Sequence, residues 1–444
     1  MLAPRTMDGL LDLAGLPAEA VPPSARAMAR FSLFDWLAVA LAGADQPLAE
    51  IMRGFVAEEG GRPVATVVGL HEKVPPRAAA LANGAISHAL DYDDTHFAHI
   101  GHPSVAVLPA ALAVAEALDA PAAAVLDALL VGAEASIRIG VTLGRPHYDR
   151  GFHQTATAGA FGATIAAARV FGLSRRETRH ALSLVATRAS GLKSQFGSMG
   201  KPYNAGIAAA NGVEAAELAR RGFLSCDDGV GGPQGFVDAH VDRIFEDEAW
   251  ASPPPATFLF EDVKHKLHAC CHGLHATIEA LRQAKREGVL GPNDATAVTI
   301  WVNPRWLTVC DVKRPRNGLE AKFSYAMAAA MTLRGVDTAS DAVYTDALCA
   351  DADLTAIQPR VKVVGDASLP DTAARVRIER AAGPPLEAAH DLAARLPSEA
   401  LEHGLRAKAA ALVGEATAER LWRAVADLDS LSARDLARLL ARRA

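Results

Sequence analysis

Between Asn83 and Ser104 the chain packs His88, Asp91, Asp93, Asp94, Thr95 and His102 into one turn-rich stretch, NGAISHALDYDDTHFAHIGHPS. Imidazoles beside carboxylates are the side chains that move protons near neutral pH. If the helix read over Arg77–Leu90 continued, His88, Asp91 and Thr95 would share one face, with Asp93 and Asp94 directed elsewhere. Strict continuation is not expected, because Asp and Thr are mediocre helix formers and the segment turns by Gly101. The competing reading is that Asp91 and Asp93 cap helices or satisfy loop amides. His102 precedes Pro103, which holds it extended and fixes where its ring points. A histidine in a surface loop is the alternative.

Three further clusters carry polar chemistry. Gly151-Phe-His153-Gln-Thr155 places a histidine just before a small-residue helix, whose first amides favour an anion. Gly197-Ser-Met-Gly200-Lys201-Pro-Tyr203-Asn204 presents a lysine from a glycine-rich turn, and it lacks the spacing of a phosphate-binding P-loop. Ordinary helix-start chemistry remains open for both. The fourth, Lys264-His-Lys266-Leu-His268-Ala-Cys270-Cys271-His272-Gly-Leu-His275, invites a metal reading through histidines and cysteines four residues apart. Two lysines inside it oppose a cation, and the cysteines lack Cys-x-x-Cys spacing. No metal is expected there, and an iron–sulfur centre would need more thiolates.

The elements that must position these groups are mostly helical. Periodicity predicts helices over Ser24–Gly43, Arg77–Leu90, Ser104–Leu118, Pro121–Gly140, Thr155–Phe171, Arg175–Ser190 and Asn204–Arg221. Gly43, Gly172 and Gly222 stand where C-terminal caps belong, and Ser174 with Glu177 reads as a capping box. Composition shifts at Ser252-Pro-Pro-Pro255. Strand-like runs follow at Ala297–Val302, Arg360–Val364 and Ala374–Ile378, with helices at His275–Glu287 and Phe323–Leu333. The expected organisation is a helical domain from 1–255 and 397–444, with a smaller α/β lid over 256–396. The fold class is mainly α with an α+β lid, and a cleft between the two domains is a natural place for a small-molecule site.

Composition supports that reading and narrows the partners. With 444 residues, two domains are the natural prior. Hydrophobic residues reach 50% but aromatics only 5%, so the core is built from Ala, Leu and Val, which suits closely approaching helices. A net charge of -6 gives no reason to expect nucleic acid or an anionic membrane. The start, Met1-Leu-Ala-Pro-Arg, does not read as a signal peptide, and Pro109 and Glu116 interrupt the apolar run at Val105–Ala117. Five cysteines without framework spacing fit a reduced, cytoplasmic protein.

Taken in order, the clusters resemble the MmgE/PrpD family of 2-methylcitrate dehydratases, cis-aconitate decarboxylases and iminodisuccinate epimerases. The resemblance is carried by NGAISHALDYDDTHFAHIGHPSVAVLPAALAVAEAL, GFHQTATAGAFGATIAAARVFGLS, FGSMGKPYNAGIAAANGVEAAELARRGF, KLHACCHGLHATIEAL and EAKFSYAMAAAM. It implies a two-domain fold, a homodimer, and catalysis without metal or organic cofactor. It also implies a site containing Asp91, Thr95, His102, His153, Lys201, Lys266 and His275, to which Tyr203, beside Lys201, is added as a substrate-binding candidate. The family's Lys-Pro-Tyr-Pro form reads Lys266-Leu-His268-Ala here, a departure on the lid side.

The expected function is a cofactor-independent lyase on a di- or tricarboxylate, most simply a 2-methylcitrate dehydratase-like hydro-lyase. In that scheme His102 or His153 moves the proton, Asp91 orients an imidazole, and Lys201 and Lys266 meet carboxylates. Epimerisation of an iminodisuccinate-like substrate is the leading alternative, and decarboxylation of a cis-aconitate-like one uses a related carbanion. From other classes, a non-catalytic carboxylate-binding protein would need no such set of histidines and lysines, and a metal-dependent hydrolase would carry stoichiometric zinc.

Overall fold

The computed structural model describes residues 5–288 and 294–441. Its contacts divide into two compact units: the chain up to His265 and again from Val413, and Lys266–Leu412. The molecule is mostly helical, with a small mixed sheet in the C-terminal part, which is the fold class expected. Among the described residues no single helix is long and apolar enough to cross a membrane.

Alanine content explains the first unit. Helix Gln154–Phe171 is buried from Gln154 to Ala168, and Ser104–Leu118 from Ser104 to Glu116. A helix apolar on every face belongs in a core. Gln154–Phe171 packs on Ser104–Leu118, Ala122–Asp149 and Gly200–Arg220, and Pro76–Ser87 packs on the last of these. The returning chain adds Glu415–Ala426 against Pro23–Gly43, where Trp422 meets Phe34 edge-on at 5.1 Å. Proline opens the helices at Pro23, Pro47 and Pro76, where no backbone donor is missed. The Ser174–Glu177 capping box is present, and Gly172 is a left-handed cap at φ 67°.

Three details differ from the sequence expectation. Gly43 is not a left-handed cap; a Cβ there would stand 2.2 Å from the Ile86 carbonyl oxygen, so close approach is what requires glycine. The helix read to Gly140 runs on to Asp149, broken at Gly144, whose φ of 64° no helix tolerates. The helix read to Leu90 stops at Ser87, which removes the shared face imagined for His88, Asp91 and Thr95.

In the second unit the sheet order is β2-β1-β3-β4, with β1 Ala295–Val302, β2 Val361–Gly365, β3 Ala373–Arg380 and β4 Leu386–Asp391. β1 runs parallel to β2 and antiparallel to β3, and β3 is antiparallel to β4. Val298 and Ile300 pair with Ile378 and Val376, making one apolar face. Helices His272–Gly288 and Tyr325–Arg334 join that face in one core. β4 was not anticipated, because LEAAHD lacks β-branched residues; register with β3 makes it a strand.

One crossing decides where the site forms. A Cβ on Gly84 would lie 2.8 Å from the Cα of Gly206, and a Cβ on Gly206 would lie 2.3 Å from the Leu81 carbonyl oxygen. Helices Pro76–Ser87 and Gly200–Arg220 thus touch backbone to backbone. Gly206→Ala is expected to lower unfolding free energy by about 1–3 kcal/mol, the usual cost of overpacking. Urea denaturation reads this directly, and an unchanged midpoint would refute the tight crossing.

Candidate active site

The segment between the two helices makes a compact, reversing path. His88 ends the first helix, Asp91 adopts φ 52°, and Ile100 φ 54°. Left-handed backbone costs a non-glycine residue about 1–2 kcal/mol, with Asp among the better tolerated. Thr95 anchors the loop: its N–H donates to the Lys264 carbonyl at 2.9 Å and its carbonyl accepts from the Lys264 N–H at 2.7 Å. The Thr95 hydroxyl also turns to that carbonyl, at 3.4 Å. The His102 N–H donates to the Thr155 hydroxyl at 3.0 Å, tying the loop to the first turn of Gln154–Phe171.

Three acids in four positions then do three different things. Asp94 is the helix cap: its carboxylate accepts from the Ser104 N–H at 3.2 Å and from the Ser104 hydroxyl at 2.5 Å. Asp91, partly exposed, lies 2.6 Å from the Lys201 ammonium and 3.3 Å from Nε2 of His102. Asp93, buried, bridges two imidazoles. Its Oδ1 meets Nδ1 of His88 at 2.8 Å, and its Oδ2 lies 2.9 Å from Nδ1 of His102. The second contact is in ion-pair range but off the direction of the ring N–H. Helix arithmetic had sent Asp93 away from the site. Because the helix stops at Ser87, the structure instead places it at the centre.

His153 joins from the start of Gln154–Phe171, 6.2 Å from the His88 ring, while the His88 and His102 rings meet edge-on at 4.6 Å. Asn204 Nδ2 lies 3.2 Å from Nδ1 of His153. Phe196 closes over the group, with its ring 5.0 Å from His153 and 5.5 Å from the Lys201 ammonium. Asp91, His102, His153 and Lys201 are therefore brought together. Tyr203 sits exposed on the first turn of Gly200–Arg220. The sequence reading missed Asp93, His88, Asn204 and Phe196 as site residues; all four lay inside the quoted motifs, but only the fold separates them from neighbours of equal chemistry.

Lys266 and His275 belong to the second unit, both buried. There the His275 ring lies 4.7 Å from His272 and 4.9 Å from His268, and His268 bridges Glu279 and Thr338 at 2.8 Å each. Burial, with His272, His268 and Lys266 nearby, holds His275 well below the usual imidazole range.

Electrostatics sort the first-unit groups. Burial alone would raise the Asp93 pKa, but His102 and His88 outweigh it and hold the carboxyl well below its ordinary value. Burial drives His102 down to about 4 against the pull of Asp93. His153 is lowered by burial and then by Lys201. Of the two carboxylates at the His102 ring, Asp93 at Nδ1 is nearer, 2.9 Å against 3.3 Å for Asp91 at Nε2, and a proton on Nδ1 would leave on Nε2 the lone pair that a general base needs. Burial pushes Asp94 up to about 7, with Asp93 and Asp35 adding to the rise and Ser104 and Ser32 opposing it. His88, Asp91, Asp93 and His102 offer ligand atoms within 4.8 Å of one another, so the set could hold a cation. The Lys201 ammonium already neutralises Asp91 and would repel a metal at the same point.

These shifts fix the sign of an acid response. Burial lowers His96, His102 and His147 to about 4, and His99 and His153 well below 6.5. As pH falls from about 6.5 towards 4, the unfolded chain takes up protons that these rings refuse, so stability drops. Asp94 and Glu134, raised by burial, oppose this in part. Urea midpoints measured at pH 7.5, 6 and 5 should fall steadily; a flat or rising series would contradict the assignment of neutral buried histidines.

Comparison with known proteins agrees with the motifs. The MmgE/PrpD N-terminal domain matches residues 13–246 and the C-terminal domain residues 268–429. The chain is 29% identical over 281 residues to the cis-aconitate decarboxylase-like protein oryM of Aspergillus oryzae, covering 60% of this chain and 58% of that one. It is 28% identical over 286 residues to cis-aconitate decarboxylase of Aspergillus terreus, covering 61% and 58%. With the human cis-aconitate decarboxylase it shares 37% identity over 157 residues, 34% of this chain and 32% of that protein. The match thus spans under three fifths of these relatives' own length. Both halves of the family's domain pair lie in sequence along one chain, and by that measure this protein belongs to the MmgE/PrpD family.

Proposed function

We propose that this chain is a lyase that develops a carbanion next to a carboxylate of a di- or tricarboxylate. The observation that carries the reading is Asp93 between two imidazoles, with Lys201 and His153 at the same place. Lys201 offers positive charge to a substrate carboxylate in competition with Asp91. The same charge stabilises the enolate-like species that follows. His102 handles the proton at Nε2, oriented from behind by Asp93.

Two outcomes fit this site. In decarboxylation the C–CO2 bond breaks, the electron pair stays on carbon, and that carbon then takes a proton. The similarity to proteins named cis-aconitate decarboxylase supports this first. In dehydration a base removes a proton next to a carboxylate and the β-hydroxyl leaves as water, as for 2-methylcitrate. A histidine neutral down to about pH 4 suits that second reading, which, unlike decarboxylation, requires a free base at the outset. Epimerisation would use the same abstraction with return of the proton to the other face.

Proton NMR in deuterated buffer with cis-aconitate, 2-methylcitrate and related polycarboxylates distinguishes these. Decarboxylation yields a product one carbon shorter bearing solvent deuterium, and dehydration yields a new alkene. Epimerisation gives exchange without either. His102→Ala should reduce turnover roughly a hundredfold or more, and Lys201→Ala should raise KM and lower kcat together. No turnover and no exchange across the panel would overturn the lyase reading.

A further inference from the structure

We infer that Asn204 is a positioning residue that locks His153 as the Nε2–H tautomer, making its Nε2 a hydrogen-bond donor. The inference rests on the lyase reading only for its catalytic consequence; the tautomer itself follows from geometry. Asn204 is buried, 4% exposed, in the first turns of Gly200–Arg220. Its amide could in principle face His153 with either oxygen or nitrogen. A second contact removes that freedom. Nδ2 also lies 3.3 Å from the Leu192 carbonyl oxygen, which can only accept. The atom between the Leu192 carbonyl and the His153 ring must therefore be the NH2, and it has two hydrogens to give.

One hydrogen goes to Leu192 and the other to Nδ1 of His153 at 3.2 Å. Nδ1 is thus an acceptor, and in the neutral ring the proton must sit on Nε2. Neutrality follows from burial beside the Lys201 ammonium. The ring is held from its backbone as well, since the His153 N–H donates to the Gly191 carbonyl at 3.0 Å. Gly191 and Leu192 therefore fix both ends of the arrangement: one carbonyl places the histidine, the next orients the amide that selects its tautomer.

The two catalytic imidazoles then receive opposite instructions. Asp93, at Nδ1, is the nearer of the two carboxylates at His102, and a proton there leaves a lone pair on Nε2. An amide donor faces Nδ1 of His153 and leaves an N–H on Nε2. A base and a hydrogen-bond donor for the developing enolate oxygens are what a carbanion reaction needs, and neither ring has to change its protonation state beforehand. Phe196 stacks edge-on against His153 and limits its access to water, which would otherwise compete for that N–H.

The test uses the full-length protein labelled with 15N-histidine, at pH 7 and without substrate. The His153 signals are identified by their loss in His153→Gln. The expected result is a protonated Nε2 and an unprotonated Nδ1, with Asn204→Asp moving the proton to Nδ1 or giving the doubly protonated ring. Should Asn204→Asp fail to fold, Asn204→Ala serves, and there the wild-type preference for Nε2–H is expected to weaken. A protonated Nδ1 in the wild type, or an unchanged pattern in the folded variant, overturns the inference. On whichever polycarboxylate the protein turns over, Asn204→Asp is expected to lower kcat tenfold or more with a displaced pH profile, as for a ring held in the wrong tautomer. Nε2–H in the wild type without any turnover would leave this assignment standing and remove the lyase reading instead.

Discussion

A charged carboxylate buried between two imidazoles is the constraint from which the rest of the site follows. Burial by itself drives a carboxyl towards its neutral form, and Asp93 stays ionised because His88 and His102 supply what water no longer can. Such a group tolerates little error in placement, since a buried charge that loses one partner costs about 3–5 kcal/mol. The reversing path from Ser87 to Ser104 meets that demand. It accepts left-handed backbone at Asp91 and Ile100, bridges Thr95 to Lys264, and spends Asp94 on capping the next helix.

The helical frame makes this placement possible. Small residues let Pro76–Ser87 and Gly200–Arg220 touch at Gly84 and Gly206, so the end of one helix and the start of the other arrive at the same spot. His88 and the acids come from one, Lys201 and Asn204 from the other. Gln154–Phe171, packed against Ser104–Leu118 and Gly200–Arg220, contributes His153 and the Thr155 anchor. Alanine-rich composition and a polar site are therefore connected: close backbones leave the site little room to drift.

Much of this was legible in the sequence, and the failures are specific. Ser104–Leu118 matches the helix expected from Pro103 and the apolar run that follows it, and Ser174 with Glu177 announces its own capping box. The clusters at His102, His153 and Lys201 were recognised from residue types next to helix starts. What the sequence could not say is which of three nearby acids lies between the two imidazoles. Asp91, Asp93 and Asp94 have the same chemistry, and a single left-handed residue decides their directions. Asn204 looked like helix-start filler, because its role depends on a carbonyl twelve residues earlier. β4 escaped because pairing with β3, and no intrinsic propensity, makes Leu386–Asp391 a strand.

The charge on Asp93 is what the whole arrangement is built to keep, and carboxyl-carbon NMR can observe it directly. With 13C-labelled aspartate, and the Asp93 resonance identified by its loss in Asp93→Asn, the signal should show no titration from pH 7 down to about 4, below which ordinary aspartates are already protonating. An Asp93 carboxyl that takes up its proton at or above pH 5 would mean that the two imidazoles do not hold it ionised, and the account of the site would fail with it.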